Sequence, residues 1–200
     1  MLIPSDSTKT PAGVAIFRFT QGGVTVSETG VPGMAAGSGF RMFVENGSDV
    51  QSGIALANVS DASTTVTLTL TTLDGMDTGL RSSLTLRQRA HVSFFLNQIP
   101  GFESLPASFQ GVLRITSNAA SVAAVGVRSR YNERGDFLVT AMPVADESAP
   151  PELELIFPHI VFGGGYTTEI LIFNNSSSDS NKAMIRFRTQ SGETVNPLLN

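Results

Sequence analysis

Two hundred residues, 41% of them hydrophobic, can fill one large β domain or one complete module with pieces of its neighbours. Charged residues make up only 15%, lysine occurs only at positions 9 and 182, and the net charge is −4, which argues against long solvent-facing helices and removes nucleic acid from the expected partners. There is no cysteine for disulfides or thiolate metal sites, and no run approaches the roughly 18 apolar residues that cross a bilayer, so no membrane insertion is expected.

Residues 1–11, MLIPSDSTKTP, lack a basic patch followed by an apolar stretch, so an exported parent would carry its signal upstream of Met1. Residues 13–19 (GVAIFRF) and 23–28 (GVTVSE) predict two strands joined by Gly22 and Gly23. Strands at 40–45 (FRMFVE) and 52–59 (SGIALANV) are separated by Asn46 and Gly47. Residues 63–73 alternate strictly, with Val66, Leu68 and Leu70 on one face and Thr65, Thr67 and Thr69 on the other, the mark of a half-buried strand. Asp74-Gly75 is a favoured hairpin pair leading into 82–87 (SSLTLR). The single helical segment expected is a turn or two near residues 93–98, stopped by Pro100. Strands follow at 109–117 (FQGVLRITS), 121–131 (SVAAVGVRSRY) and 136–143 (DFLVTAMP), and then at 166–174 (YTTEILIFN) and 183–190 (AMIRFRTQ).

Many short strands at this spacing predict an all-β, immunoglobulin-like antiparallel β-sandwich. Its expected core is Ile54, Leu56, Val66, Leu68, Leu70, Leu84, Leu113, Ile115, Val125 and Val127. An internal repeat runs through the chain: residues 15–32 share the strand, glycine turn, strand, proline layout of 126–143, and residues 53–61 parallel 169–177. The reading that follows is one complete module at 34–147, flanked by partial modules. Residues 1–33 are the C-terminal hairpin of a preceding module, 148–154 a Pro-rich linker, and 155–200 the opening strands of a following one. An isolated hairpin is marginal in water, so residues 11–32 and 155–190 are expected either to stay mobile or to pair with each other.

Residues 52–61 (SGIALANVSD), 105–117 (LPASFQGVLRITS) and 127–143 (VRSRYNERGDFLVTAMP) resemble tandem β-sandwich repeats of large exported bacterial proteins of unknown function. Residues 13–32 and 155–174 resemble the segments that join successive repeats, with Phe162 a departure where a small or acidic residue is expected. The resemblance implies an extracellular or cell-surface location and brings no catalytic or ligand-binding residues with it.

Candidate chemistry is sparse. His91 and His159 are the only histidines and form no metal-ligand spacing, and no G-x-S-x-G elbow is present, so no catalytic residue, cofactor or metal is assigned. Gly163-Gly164-Gly165 lacks the Lys-Ser/Thr of a phosphate loop, and Asp74 and Asp77 are too few for a calcium loop. A possible ligand or partner surface comprises Arg128 and Arg130, on one face of a strand by period two, with Arg134 and Asp136 of an Arg-Gly-Asp turn. Expected partners are neighbouring modules of the same chain and, through that surface, a cell-surface glycan or protein. The expected function is a non-catalytic structural or adhesion repeat of an exported or cell-surface protein. The alternative is an accessory polysaccharide-binding module appended to a secreted enzyme.

Overall fold

The structure, a computed structural model, describes residues 12–149, 154–174 and 184–195. In chain order the strands are β1 (Val14–Gln21), β2 (Val24–Pro32), β3 (Gly39–Asn46), β4 (Val50–Asn58), β5 (Thr64–Thr72), β6 (Asp77–Leu86), β7 (His91–Phe95), β8 (Phe109–Ser117), β9 (Val122–Tyr131), β10 (Phe137–Met142), β11 (Ala145–Asp146), β12 (Phe187–Arg188) and β13 (Thr194–Val195). The chain divides into two compact units, Met1–Thr168 and Glu169–Asn200. In the first, nine antiparallel strands run β10-β9-β4-β3-β8-β5-β6, with β7 added on β4 and β11 on β3, and the sheet does not close into a barrel. β1 and β2 form a separate two-stranded sheet, as do β12 and β13 in the second unit.

The period-two pattern decides which side chains are inside. Val66, Leu68 and Leu70 of β5 are fully buried and join Ile54, Leu56, Leu113 and Ile115 in one cluster, with Leu84 half-buried against it. Phe40, Met42 and Val44 of β3 complete its centre, and Leu96, Ile99 and Phe102 close it after β7. Val125 and Val127 do not belong to this core. β9 turns Val122, Ala124 and Gly126 inward and leaves both valines half-buried on its other face. The reason is steric: a Cβ at position 126 would lie 2.6 Å from Met42 Cε and 3.1 Å from the Met142 carbonyl, so any larger residue there forces Met42 and the Met142 backbone to shift. β9 is apolar on both faces, and alternation alone did not choose between them.

The turn expected near 93–98 is a 3-10 turn at Leu96–Gln98, with Gln98 Oε1 accepting from the Phe95 N–H at 3.1 Å. The residues before it form β7, which pairs with Gly53–Ala57 of β4. The strand expected at 166–174 is not formed, since among the described residues no strand lies opposite it. Extended backbone becomes a strand only when its N–H and C=O groups meet a partner.

The β1–β2 hairpin is tied to β10. Its Ser27 hydroxyl donates to the Val139 carbonyl (3.0 Å) and accepts from the Val139 N–H (2.8 Å), and Thr29 Oγ1 accepts from the Ala141 N–H (2.9 Å). Phe19 stands edge-on to Phe137 at 5.6 Å. Side-chain hydroxyls thus satisfy backbone groups on the open edge of β10 that would otherwise invite another strand.

Three hairpin geometries recur at offsets of 111, 116 and 117. Adding 111 converts five pairs of the β1–β2 ladder into pairs of the β9–β10 ladder: Phe19 opposite Ser27 becomes Arg130 opposite Leu138, and Ala15 opposite Val31 becomes Gly126 opposite Met142. Adding 117 converts the β5–β6 turn into the β12–β13 turn. Gly75 (φ 86°) becomes Gly192 (φ 87°), and the Thr72 N–H to Met76 O bond (2.9 Å) becomes Thr189 N–H to Glu193 O (2.9 Å). The Met76 N–H to Thr72 Oγ1 bond (3.0 Å) likewise becomes Glu193 N–H to Thr189 Oγ1 (3.1 Å). Adding 116 converts the β3–β4 turn into residues 161–168: Gly47 N–H to Val50 O (2.8 Å) becomes Gly163 N–H to Tyr166 O (3.2 Å). In the same turn Glu45 N–H to Ser52 Oγ (2.9 Å) becomes Val161 N–H to Thr168 Oγ1 (3.2 Å).

Candidate functional site

The Arg128, Arg130, Arg134 and Asp136 surface lies at one end of the main sheet. Register brings the parts together: Val50 stands opposite Arg130, Phe109 opposite Asn46, and the Tyr131 N–H donates to Asp49 O at 2.8 Å. The β3–β4 turn, the entry to β8 and the β9–β10 turn therefore share this end. A shallow, open depression of about 520 Å³ lies between the first two, lined by Glu45, Asn46, Asp49, Phe109 and Gln110 among others.

Arg128 stands where β9 leaves the core. Its Nε meets Glu45 Oε2 at 2.5 Å, and Glu45 is almost wholly buried. Glu45 also accepts from Gln110 Nε2 at 3.0 Å, so its charge is shared between one cation and one amide. Arg130 reaches Asp49 at 3.5 Å and Glu133 at 3.1 Å. In the β9–β10 turn, Asn132 Oδ1 accepts from the Arg134 and Asp136 N–H groups (2.9 and 2.8 Å), and its amide donates to the Asp136 carboxylate at 3.0 Å. That is an Asx turn. It holds Asp136 half-buried against the loop and leaves Arg134 exposed at the tip. The structure thus gathers all four residues at one end but occupies Arg128 and Arg130 with carboxylates. Glu45, Asp49, Glu133 and Asp136 supply four negative charges against three guanidiniums, so this end is not basic.

A second ionic cluster went unread in the sequence. Glu147 Oε1 accepts from Arg41 Nε (2.5 Å) and Arg114 Nε (2.7 Å), and Glu147 Oε2 accepts from Arg114 Nη2 (2.7 Å). Burial pushes the Glu147 carboxyl up, but the hydrogen bonds and charges of Arg114 and Arg41 outweigh it and hold the group below its ordinary value. The bidentate Arg114 contact and the pairing of β11 with β3 fasten the end of the main sheet's chain path onto its outer face. Arg41 and Glu147 lie 106 residues apart. Only alternation along β3, which puts Arg41 opposite in face to Phe40 and Met42, marks Arg41 in advance.

Asn58 is the other buried polar centre. Its amide donates to the carbonyls of Ala62 (2.7 Å), Leu86 (3.2 Å) and Arg87 (3.1 Å), and its Oδ1 accepts from the Ser60 N–H (3.0 Å). It therefore ties the end of β4 to the end of β6. His91 opens β7 and His159 lies outside any strand, both exposed. Among the described residues no three His, Asp or Glu side chains converge as metal ligands.

No family model matches this chain, and no curated protein matches it. Among solved structures the chain is similar to Thermotoga maritima 1070, with 11% identity and a TM-score of 0.46 over 58% of this chain and 100% of that one. The class the fold defines is an all-β antiparallel protein.

Proposed function

We propose that the chain is part of a tandem array of β-sandwich modules and serves as a non-catalytic structural or adhesion element of an exported or cell-surface bacterial protein. The observation that carries the reading is the recurrence of three hairpins at offsets of 111, 116 and 117, in strand register for the first and in turn hydrogen bonds for the other two. The support lies in the near-common offset and not in the turn geometry alone, since the bonding pattern of Thr72, Gly75 and Met76 also stands at Asn132, Gly135 and Asp136.

The pairing supports a two-layer arrangement. β3 and β4 share a single paired position, Asn46 opposite Gln51, while β3 otherwise pairs with β8 and β11, and β4 with β9 and β7. Inward side chains of both sets meet in one cluster, as they do when a sheet folds over at a corner. The exported setting rests on the resemblance of the repeat sequence. In that setting modules joined end to end hold whatever follows them away from the cell envelope and present their turn ends to partners. Immunoblotting of fractionated native cells with antibody to residues 34–147 tests this. A band far larger than 21.1 kDa in the envelope or medium is the expected result, and a cytoplasmic band near 21.1 kDa would overturn the reading.

A further inference from the structure

We infer that β11 and the turn after it form a tension-release strap: load carried along the chain peels residues 145–149 from β3 before the rest of the sheet yields, and the Glu147 ion pairs set the load at which this happens. The inference rests on the array reading above for the source of the load and goes beyond it by naming the contact that gives way. The chain enters and leaves the main sheet at one place. Phe40 stands opposite Asp146 and Arg41 opposite Ala145, and the Glu147 N–H donates to Gly39 O at 2.9 Å, so the start of β3 lies beside the end of β11. Just upstream, a Cβ at Gly37 would lie 3.5 Å from the Asp146 carboxylate. Pulling the entering and leaving chains apart therefore loads β11 across its ladder, one hydrogen bond at a time from Glu147 inward. A pull along β3 is a different case. β3 pairs with β8 from Gly39 opposite Thr116 to Asn46 opposite Phe109, and those bonds share the load together.

The two chain ends are not held alike. Gly37 donates to Val122 O and accepts from its N–H (2.9 and 3.2 Å), and Ser38 O accepts from the Ser117 N–H (2.8 Å), so the entering chain is bound to β8 and β9. β11 is two residues long and, among the described residues, pairs with β3 alone. Its reinforcement is the Glu147 carboxylate, which accepts from Arg41 on β3 and, at both oxygens, from Arg114 on β8. Hydrogen bonds between charged groups outweigh a ladder bond, and this contact is the first that load from the leaving chain reaches. Ser148 donates its N–H and its hydroxyl to Asp146 Oδ1 (2.8 and 2.6 Å), so the turn moves with the strap as one piece. Peeling also has a stop, because the next residue inward, Val144, is buried in the core cluster.

The chain has no native cysteine, so handles can be attached to the full chain at chosen thiols. Ala36→Cys with Ala149→Cys, both exposed positions, loads the strap directly. Extension between optical traps is expected to show a short, reversible first step before the sheet unfolds. Its size should be roughly 15–20 Å, the extended length of residues 145–149 at about 3.5 Å per residue. Glu147→Gln keeps the side-chain shape and removes the charge, and at constant load it should shift the strap towards its open state by about tenfold or more. Arg114→Met should act in the same direction. Moving the second handle to Ser48→Cys, in the turn after β3, pulls along β3 instead. That geometry should show no short step and should hold to a higher load. The inference is overturned by the absence of a short step with handles at 36 and 149, by a step whose load neither Glu147→Gln nor Arg114→Met alters, or by the same step with handles at 36 and 48. Cell fractionation bears on the array and the pulling experiment on the strap, so each can fail alone.

Discussion

Arg128 on a strand and Glu147 in the turn after β11 show how polar side chains are taken up in holding the fold. Glu45 is almost wholly buried and Arg128 is its cation, so removing the guanidinium leaves a carboxylate with one amide donor. Arg128→Ala is expected to cost about 2 kcal/mol in urea unfolding, within the range for hydrogen bonds to charged groups. An unchanged midpoint would show that the pair is incidental and return Arg128 to the list of ligand-binding residues. Glu147 predicts a pH dependence. Its folded-state pKa lies below the ordinary 4.5, so its stabilisation is complete above that value and is lost as the pH falls through the lower folded value. Wild-type stability should therefore drop between about pH 5 and about pH 3, and Glu147→Gln should start lower at neutral pH and fall less steeply over that window. Parallel pH curves for the two proteins would contradict the assignment.

Individual strands were the most legible level of the sequence. The eleven-residue alternation at 63–73 became β5 with the expected face inward, because a two-residue period admits only two orientations and one buries threonine. Legibility failed where the pattern was symmetric or the partner distant. β9 is apolar on both faces, and β7 is five residues with His91 and Ser93 interleaved among apolar ones. The β1–β2 hairpin was legible as a hairpin, but its seat on β10 depends on Ser27 and Thr29, which resemble any polar strand residues in sequence. Replacing them together, Ser27→Ala with Thr29→Val, should free the Val139 and Ala141 N–H groups. Hydrogen exchange at those two amides should rise by at least about tenfold while β4 and β8 amides hold. Unchanged exchange would mean that the hairpin is held by Phe19 and Phe137 alone.

For the molecule as a whole, the controlling quantity is how closely β9 approaches β3. Gly126 sets it, with Met42 and the Met142 backbone already at contact for any added carbon. Gly126→Ala should cost about 1–3 kcal/mol, the usual penalty of overpacking, and Met42→Leu should recover part of it by withdrawing the clashing methyl. If Gly126→Ala is neutral and Met42→Leu brings no gain, the two strands are less tightly packed than described. The candidate surface is decided at this scale too. Arg128 and Arg130 were visible as an alternating pair, but Glu45 and Asp49, which occupy them, lie some eighty residues earlier. They meet only because β4 and β9 are neighbours.

What the sequence determined by itself is whatever follows from local chemistry. That covers the all-β class, most strand positions, the turns at Asn46-Gly47, Asp74-Gly75 and Arg134-Gly135, and the core face of β4, β5 and β8, each set by spacing along the chain. Tertiary structure decided which face of β9 is inside, which edge the first hairpin covers, and which carboxylate holds each arginine. These depend on groups a hundred or so residues apart arriving within hydrogen-bonding distance, and strand order, not spacing along the chain, sets those distances.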